Sequence, residues 1–161
     1  MIIISTNKEL SLLLDIGLTN LNNDSERENI RKRLSNEIKE IGANRDIFIK
    51  IMNGQAVAMI QIIYKNADND PDLANGVDVA HIHDLEVRKD LHGHGIGKQC
   101  VQDLETFAIG KSVRVLTLGV DSTNTKAMKL YHNLGYKIFK EEEGRVPEEK
   151  LYLMKKVLDK N

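Results

Sequence analysis

Apolar positions along this chain switch between a helical and a strand-like period. Met1-Ile2-Ile3-Ile4 reads as an opening strand and Ser5-Thr6-Asn7-Lys8 as a turn. Thr6 and Glu9 then have capping-box spacing, and Leu10, Leu13, Leu14, Leu18 and Leu21 recur at intervals that predict an amphipathic helix. Ser25 and Glu28 repeat the capping pattern ahead of Ile30, Leu34, Ile38 and Ile41, a second helix that ends near Gly42.

The period then shortens to two. Residues 46–52 and 55–65 read as strands around Asn53-Gly54, a strong hairpin signal. Asn66–Gly76 is rich in Asp, Asn and Pro and reads as a solvated loop before a strand over Val77–Val87. Its Asp68, Asp70 and Asp72 lack the glycine and the closing glutamate of a calcium loop. From Gly93 the helical period returns, with Ile96, Cys100, Val101, Leu104 and Ala108 on one face. Val113–Val120 is a β-branched strand, Asp121–Asn124 supplies turn and cap residues, and Ala127, Leu130, Tyr131 and Leu134 mark a helix ending at Gly135. Tyr136–Lys140 and Leu151–Lys156 are short strands around the polar stretch Glu141–Lys150. No repeat or linker divides the pattern, so residues 1–161 read as one α/β domain.

Composition narrows the function. A net charge of -1 with 41% hydrophobic and 29% charged residues gives no general attraction for nucleic acid or an anionic membrane, so any anion must be recognised locally. The opening segment lacks a basic n-region, and no stretch is long enough to cross a bilayer. The lone Cys100 excludes an internal disulfide and reads as a small buried hydrophobe in a cytoplasmic protein.

The local anion site is predicted at His92-Gly93-His94-Gly95-Ile96-Gly97-Lys98, where Leu85-Glu86-Val87 leads through a short connection into a helix. Glycines let the backbone approach a ligand, and the free N–H groups of a first helical turn attract phosphate. Lys98 in that turn opposes the helix dipole, which makes sense if it faces an added anion. The P-loop is excluded because Gly97-Lys98 is followed by Gln99 and not by Ser or Thr. The dinucleotide-binding loop is excluded by its G-x-G-x-x-G spacing and its early place in a βαβ unit.

The stretch His92–Gly97 resembles the Gln/Arg-x-x-Gly-x-Gly/Ala signature of the GNAT family of N-acetyltransferases, with both small residues present and histidine in the first place. Asn124-Thr125-Lys126-Ala127-Met128-Lys129-Leu130-Tyr131-His132-Asn133-Leu134-Gly135-Tyr136 is similar to the same family's N-x-x-A-x-x-L-Y-x-x-x-G-[FY] segment. The resemblance covers residues 46–156 well and the first 45 only in general layout. It implies a mixed, mostly antiparallel sheet flanked by helices. It also implies acetyl-CoA as the acetyl donor, with its pyrophosphate on the backbone of the His92–Lys98 loop and its pantetheine arm along Leu85, Glu86 and Val87. By the same analogy Asn124 bonds to the cofactor and Tyr131 is the general acid toward the departing thiolate. A tyrosine is protonated at neutral pH, so that chemistry is sound. The alternative is that Tyr131 only packs and Asn124 only caps.

An ammonium acceptor must lose a proton before it attacks a thioester. Some family members place a glutamate five residues before the asparagine, where this chain has Gly119. By strand alternation Asp84 and Glu86 share a face, and Glu86 is nominated as base, with an exposed carboxylate as the plain alternative. His81, His83, His92 and His94 form pairs that invite a zinc reading, but two of them lie in the loop given to phosphate, so no metal is expected. The expected function is acetyl-CoA-dependent N-acetylation of a primary amine on a small molecule or protein. The rivals are a non-catalytic acyl-CoA-binding or regulatory domain and an acyltransferase with a longer chain or another nucleophile. The acceptor is unidentified, and a homodimer fits the family's habit.

Overall fold

In the computed structural model, which describes residues 2–3, 12 and 23–158, the hairpin predicted at Asn53-Gly54 is present. Its two turn residues take φ 51° and 76°, the left-handed backbone that a tight two-residue hairpin requires. The elements are β1 (Ile2–Ile3), α1 (Asp24–Ile38), β2 (Arg45–Met52), β3 (Gln55–Ile63), β4 (Val79–Val87), α2 (Ile96–Gly110), β5 (Val115–Asp121), α3 (Thr125–Asn133), β6 (Lys137–Glu143) and β7 (Lys150–Val157), with 3-10 turns at Ala67–Asn69 and Lys89–Leu91. They form the expected α/β fold: a mixed, mostly antiparallel sheet with helices, in which β4 and β5 are the parallel pair.

The first predicted helix, with Thr6, Glu9, Leu10, Leu13, Leu14, Leu18 and Leu21, lies outside the described residues. The second begins two residues earlier than its capping pattern predicts. Asn23, not Ser25, is the N-cap, its side chain accepting the Glu26 N–H at 2.8 Å. Both sequences satisfy a capping rule, and the one whose oxygen reaches a free N–H wins.

The chain gathers into two compact units, each built from two segments. The first comprises Met1–Ile62 and Asp84–Leu104. Its core joins Leu34 and Ile38 of α1 to Ile47 and Ile49 of β2 and Ala56 and Met59 of β3, with Leu12 packed against them. A polar network runs through it. Gln61, fully buried, donates from Nε2 to Glu37 at 2.8 Å and accepts from Arg45, whose Nε also bonds Glu40 at 3.2 Å. A buried arginine and glutamate are tolerable only when so partnered.

The second unit comprises Ile63–His83 and Glu105–Asn161. Within it β5 pairs with β4 in parallel over Val79–Ile82 and with β7 antiparallel, and β7 pairs with β6. The Asn66–Gly76 loop, expected to be solvated, is instead anchored. Ala67, Leu73 and Ala74 are buried in a cluster with Ile63 and Leu153. Its carboxylates are used internally: Asp70 accepts the Asp72 N–H at 2.8 Å and pairs with Lys140 at 3.1 Å. Strand β6 runs through Glu141–Glu143, beyond its predicted end, because charged side chains survive on a strand that pairs along one edge and faces water. Among the described residues no helix is long and apolar enough to cross a membrane.

Candidate functional site

The carboxyl end of β4 is irregular. Asp84 takes φ 47° in mid-strand, a left-handed backbone that aspartate tolerates better than most residues. Its carboxylate is bound by Arg33 of α1, and Arg33 also lies 4.0 Å from Glu37. The alternation argument that put Asp84 and Glu86 on one face does not carry across such a residue, since period two holds only for extended backbone. Leu85, Glu86 and Val87 are half-buried beyond this break. Arg88 then closes the strand: its N–H donates to the Val57 carbonyl at 2.9 Å and its guanidinium grips Asp90 at 2.7 and 3.1 Å and Gln55 at 3.0 Å. The Arg88 hydrogen bond holds the Asp90 carboxyl below its usual range.

The glycine-rich loop belongs to the same unit. Gly93 and Gly95 take φ 83° and 77°, and a Cβ on either would meet no atom within 4 Å, so these glycines answer to backbone conformation and not to crowding. Gln99 is the first residue of α2 whose N–H closes a helical bond, to the Gly95 carbonyl at 3.1 Å. Among the described residues the N–H groups of Gly93 through Lys98 have no partner within the chain. Ile96 is buried, Gly97 half-buried, and Gly93, His94, Gly95 and Lys98 are exposed. Unpaired N–H groups at a helix start, on exposed backbone, are what an anion binds.

The two loop histidines are tied down. A carbonyl only accepts, so His92 donates through Nε2 to Val87 at 2.9 Å, and His94 donates through Nδ1 to the carbonyls of Leu91 and His92 at 3.2 and 3.1 Å. His92 therefore fastens the loop to the end of β4. Further along α2, Cys100 is fully buried, and burial pushes its thiol up to about 11, which makes it a packing residue and not a nucleophile.

Asn124 and Tyr131 belong to the other unit. The Asn124 side-chain oxygen accepts the Ala127 N–H at 3.1 Å and caps α3, leaving its amide nitrogen without a partner among the described residues. Tyr131, two turns on, is 7% exposed, and burial pushes its phenol up to about 12, so it carries its proton throughout the neutral range. Gly119 is exposed on β5, and a Cβ there would come within 3.3 Å of the Leu151 side chain, so a glutamate would have to displace it.

In this unit His81 is buried with Nδ1 at 2.8 Å from Thr117 Oγ1, and the Thr117 hydroxyl donates to the Leu73 carbonyl at 2.7 Å. Thr117 has one proton to give, so His81 must be the donor to it. The sequence singled out Asp84 and His81 but gave no signal for their partners Arg33 and Thr117, since each pairing joins distant segments.

The sequence profile described as "Acetyltransferase (GNAT) family" matches residues 16–136. The chain belongs to the GNAT family. A comparison with curated proteins finds no match. Among solved structures, this GNAT chain is similar to the ribosomal-protein-S18-alanine N-acetyltransferase from Escherichia coli, at 18% identity and TM-score 0.72, with 99% of this chain and 95% of that one covered. It is also similar to the aminoglycoside 6'-N-acetyltransferase from Enterococcus faecium, at 20% identity and TM-score 0.71, covering 100% and 99%. A third, an aminoglycoside 6'-N-acetyltransferase solved in complex with coenzyme A, has 18% identity and TM-score 0.71, covering 100% and 99%. At such identities the agreement is one of fold.

Proposed function

We propose that this GNAT chain is an acetyl-CoA-dependent N-acetyltransferase acting on a primary amine of a small molecule or protein in the cytoplasm. The observation that carries the reading is the run of N–H groups from Gly93 to Lys98, unpartnered within the chain at the start of α2. Such a run fits a pyrophosphate, and Lys98 adds a cation at its exposed edge. The Val87 end of β4, fastened to the loop by His92, supplies backbone for the pantetheine arm.

In the reaction proposed, the amine nitrogen forms a bond to the acetyl carbon, the carbon–sulfur bond breaks, and the leaving thiolate takes the proton of the Tyr131 hydroxyl. The amine gives up its own proton to Glu86 or to water. Burial keeps the Tyr131 phenol protonated until the thiolate forms, and the tyrosinate left after the transfer regains its proton from water. Asn124 supports the cofactor through its uncommitted amide nitrogen.

Isothermal titration with acetyl-CoA and with coenzyme A, on the wild type and on Gly95→Glu, tests the site. The variant puts a carboxylate where phosphate is proposed, on a left-handed backbone. Binding by the wild type that is lost in the variant supports the loop, and no binding by the wild type sinks the reading. Thiol release from acetyl-CoA across a panel of primary amines then tests transfer. Gly119, where some family members carry a base, favours a second reading as a non-catalytic acyl-CoA-binding domain. Binding without thiol release from any amine would select it.

A further inference from the structure

Tyr131 lies in the last turn of α3, a helix of 9 residues, and short helices fray at their ends. A phenol that must deliver a proton along one direction needs its ring held there. The end of α3 does so with a Schellman turn. The Tyr136 N–H donates to the Tyr131 carbonyl at 3.0 Å, the Gly135 N–H donates to the His132 carbonyl at 3.0 Å, and Gly135 takes φ 91°. This turn folds the residue after the glycine back onto the last helical turn, and here both contacting residues are tyrosines. Their rings meet edge to face, with centroids 5.8 Å apart and planes at 68°.

Tyr136 is itself pinned. It is 1% exposed, and the Lys156 ammonium of β7 lies 5.7 Å from its ring centroid. Lys156 is bonded at 2.7 Å to Glu105 of α2, whose side chain is 13% exposed. Two oxygens at this point, Tyr136 OH and Glu105 Oε1, are buried without a hydrogen-bond partner among the described residues. Burial first, and the Glu105 charge after it, push the Tyr136 phenol's pKa up, so Tyr136 keeps its proton. All these residues belong to one unit. A part-buried ion pair packed against one ring of an aromatic pair limits how that ring can turn.

We propose that Glu105, Lys156 and Tyr136 are positioning residues for Tyr131: the ion pair fixes the Tyr136 ring, and that ring holds the Tyr131 phenol in its working orientation. The functional half of this inference rests on Tyr131 being the acid described above.

The chain has 4 tyrosines, so protein labelled with carbon-13 in the tyrosine rings resolves each of them by NMR. The Tyr131 ring-flip rate rises more than about tenfold in Tyr136→Leu and Lys156→Met and returns close to the wild-type value in Lys156→Arg, as loss and restoration of a ring clamp require. Lys156→Met leaves Glu105 unpaired, so the double variant Glu105→Gln/Lys156→Met is measured beside it. Flip rates equal to the wild type in Tyr136→Leu and in the double variant would overturn the proposal. Coenzyme A is then added to the labelled wild type. A shift of the Tyr131 resonance supports its place at the cofactor. No shift would remove the acid role while leaving the ring clamp, read without ligand, to stand. With an amine found in the acceptor panel, Lys156→Met lowers kcat about tenfold or more with KM for acetyl-CoA unchanged, since misorientation of a reacting group acts on the chemical step. A change in KM alone would count against positioning.

Discussion

His81 Nδ1 lies 2.8 Å from Thr117 Oγ1, and Thr117 passes the bond on to the Leu73 carbonyl, so a buried imidazole anchors the Asn66–Gly76 loop through a single hydroxyl. Burial lowers the His81 pKa from 6.5 to about 4. The folded protein keeps this ring neutral while the unfolded chain protonates it near pH 6.5, so between these values the unfolded state binds more protons. The stability held by His81 is therefore complete above about pH 6.5 and falls as pH drops toward 4, by roughly 3 kcal/mol in all. Urea denaturation between pH 4 and 7.5 measures it. His81→Gln flattens this slope; an unchanged slope would show that another group titrates.

Asp84 combines a left-handed backbone with an ion pair to Arg33. The partners' side chains are 26% and 39% exposed, so the pair contributes about 1 kcal/mol or less. The backbone is the larger constraint. Asp84→Asn, which tolerates that conformation, costs about 1 kcal/mol, and Asp84→Val costs ~1–2 kcal/mol more. Thermal unfolding of both variants checks the order, and equal losses would assign the whole effect to charge.

Gln61 is the hinge of a buried polar network. Gln61→Leu removes the acceptor of Arg45 and the donor to Glu37 while leaving both charges inside, and costs about 3 kcal/mol by denaturant titration. A near-neutral result would mean that Arg45 and Glu37, 3.9 Å apart, close directly on each other.

His92 occupies the first place of the GNAT signature, where glutamine or arginine is usual. If backbone N–H groups hold the pyrophosphate, His92→Gln leaves coenzyme A affinity within about tenfold, or 1.4 kcal/mol, while Gly95→Glu loses more than that. Titration calorimetry of the two side by side decides it, and a larger loss in His92→Gln would mean that the side chain, through its bond to Val87 or to the cofactor, is needed for binding.

Much of this was legible before folding. The Asn53-Gly54 hairpin, the α2 face of Ile96, Cys100, Val101, Leu104 and Ala108, and the Asn124 and Gly135 ends of α3 are all where the pattern puts them. These are local: a turn needs a positive φ, a helix needs an apolar stripe every three or four residues, and a cap needs one oxygen near one N–H. The Ser25 cap failed where two residues with the same chemistry competed within one turn, because geometry and not residue type decides between them.

The sequence by itself determined the family, most of the elements from α1 onward and the glycine loop at the start of α2, because each is written in neighbouring residues. Only the tertiary structure decided which polar groups are spent and which remain. It turned Asp84 out of the strand's alternation and bound it to Arg33, and it buried His81 on Thr117. It also set Lys156 and Glu105 behind the Tyr131–Tyr136 pair. These contacts join residues far apart in the chain, and a carboxylate, imidazole or phenol acquires its charge state and its direction from the groups that folding places beside it.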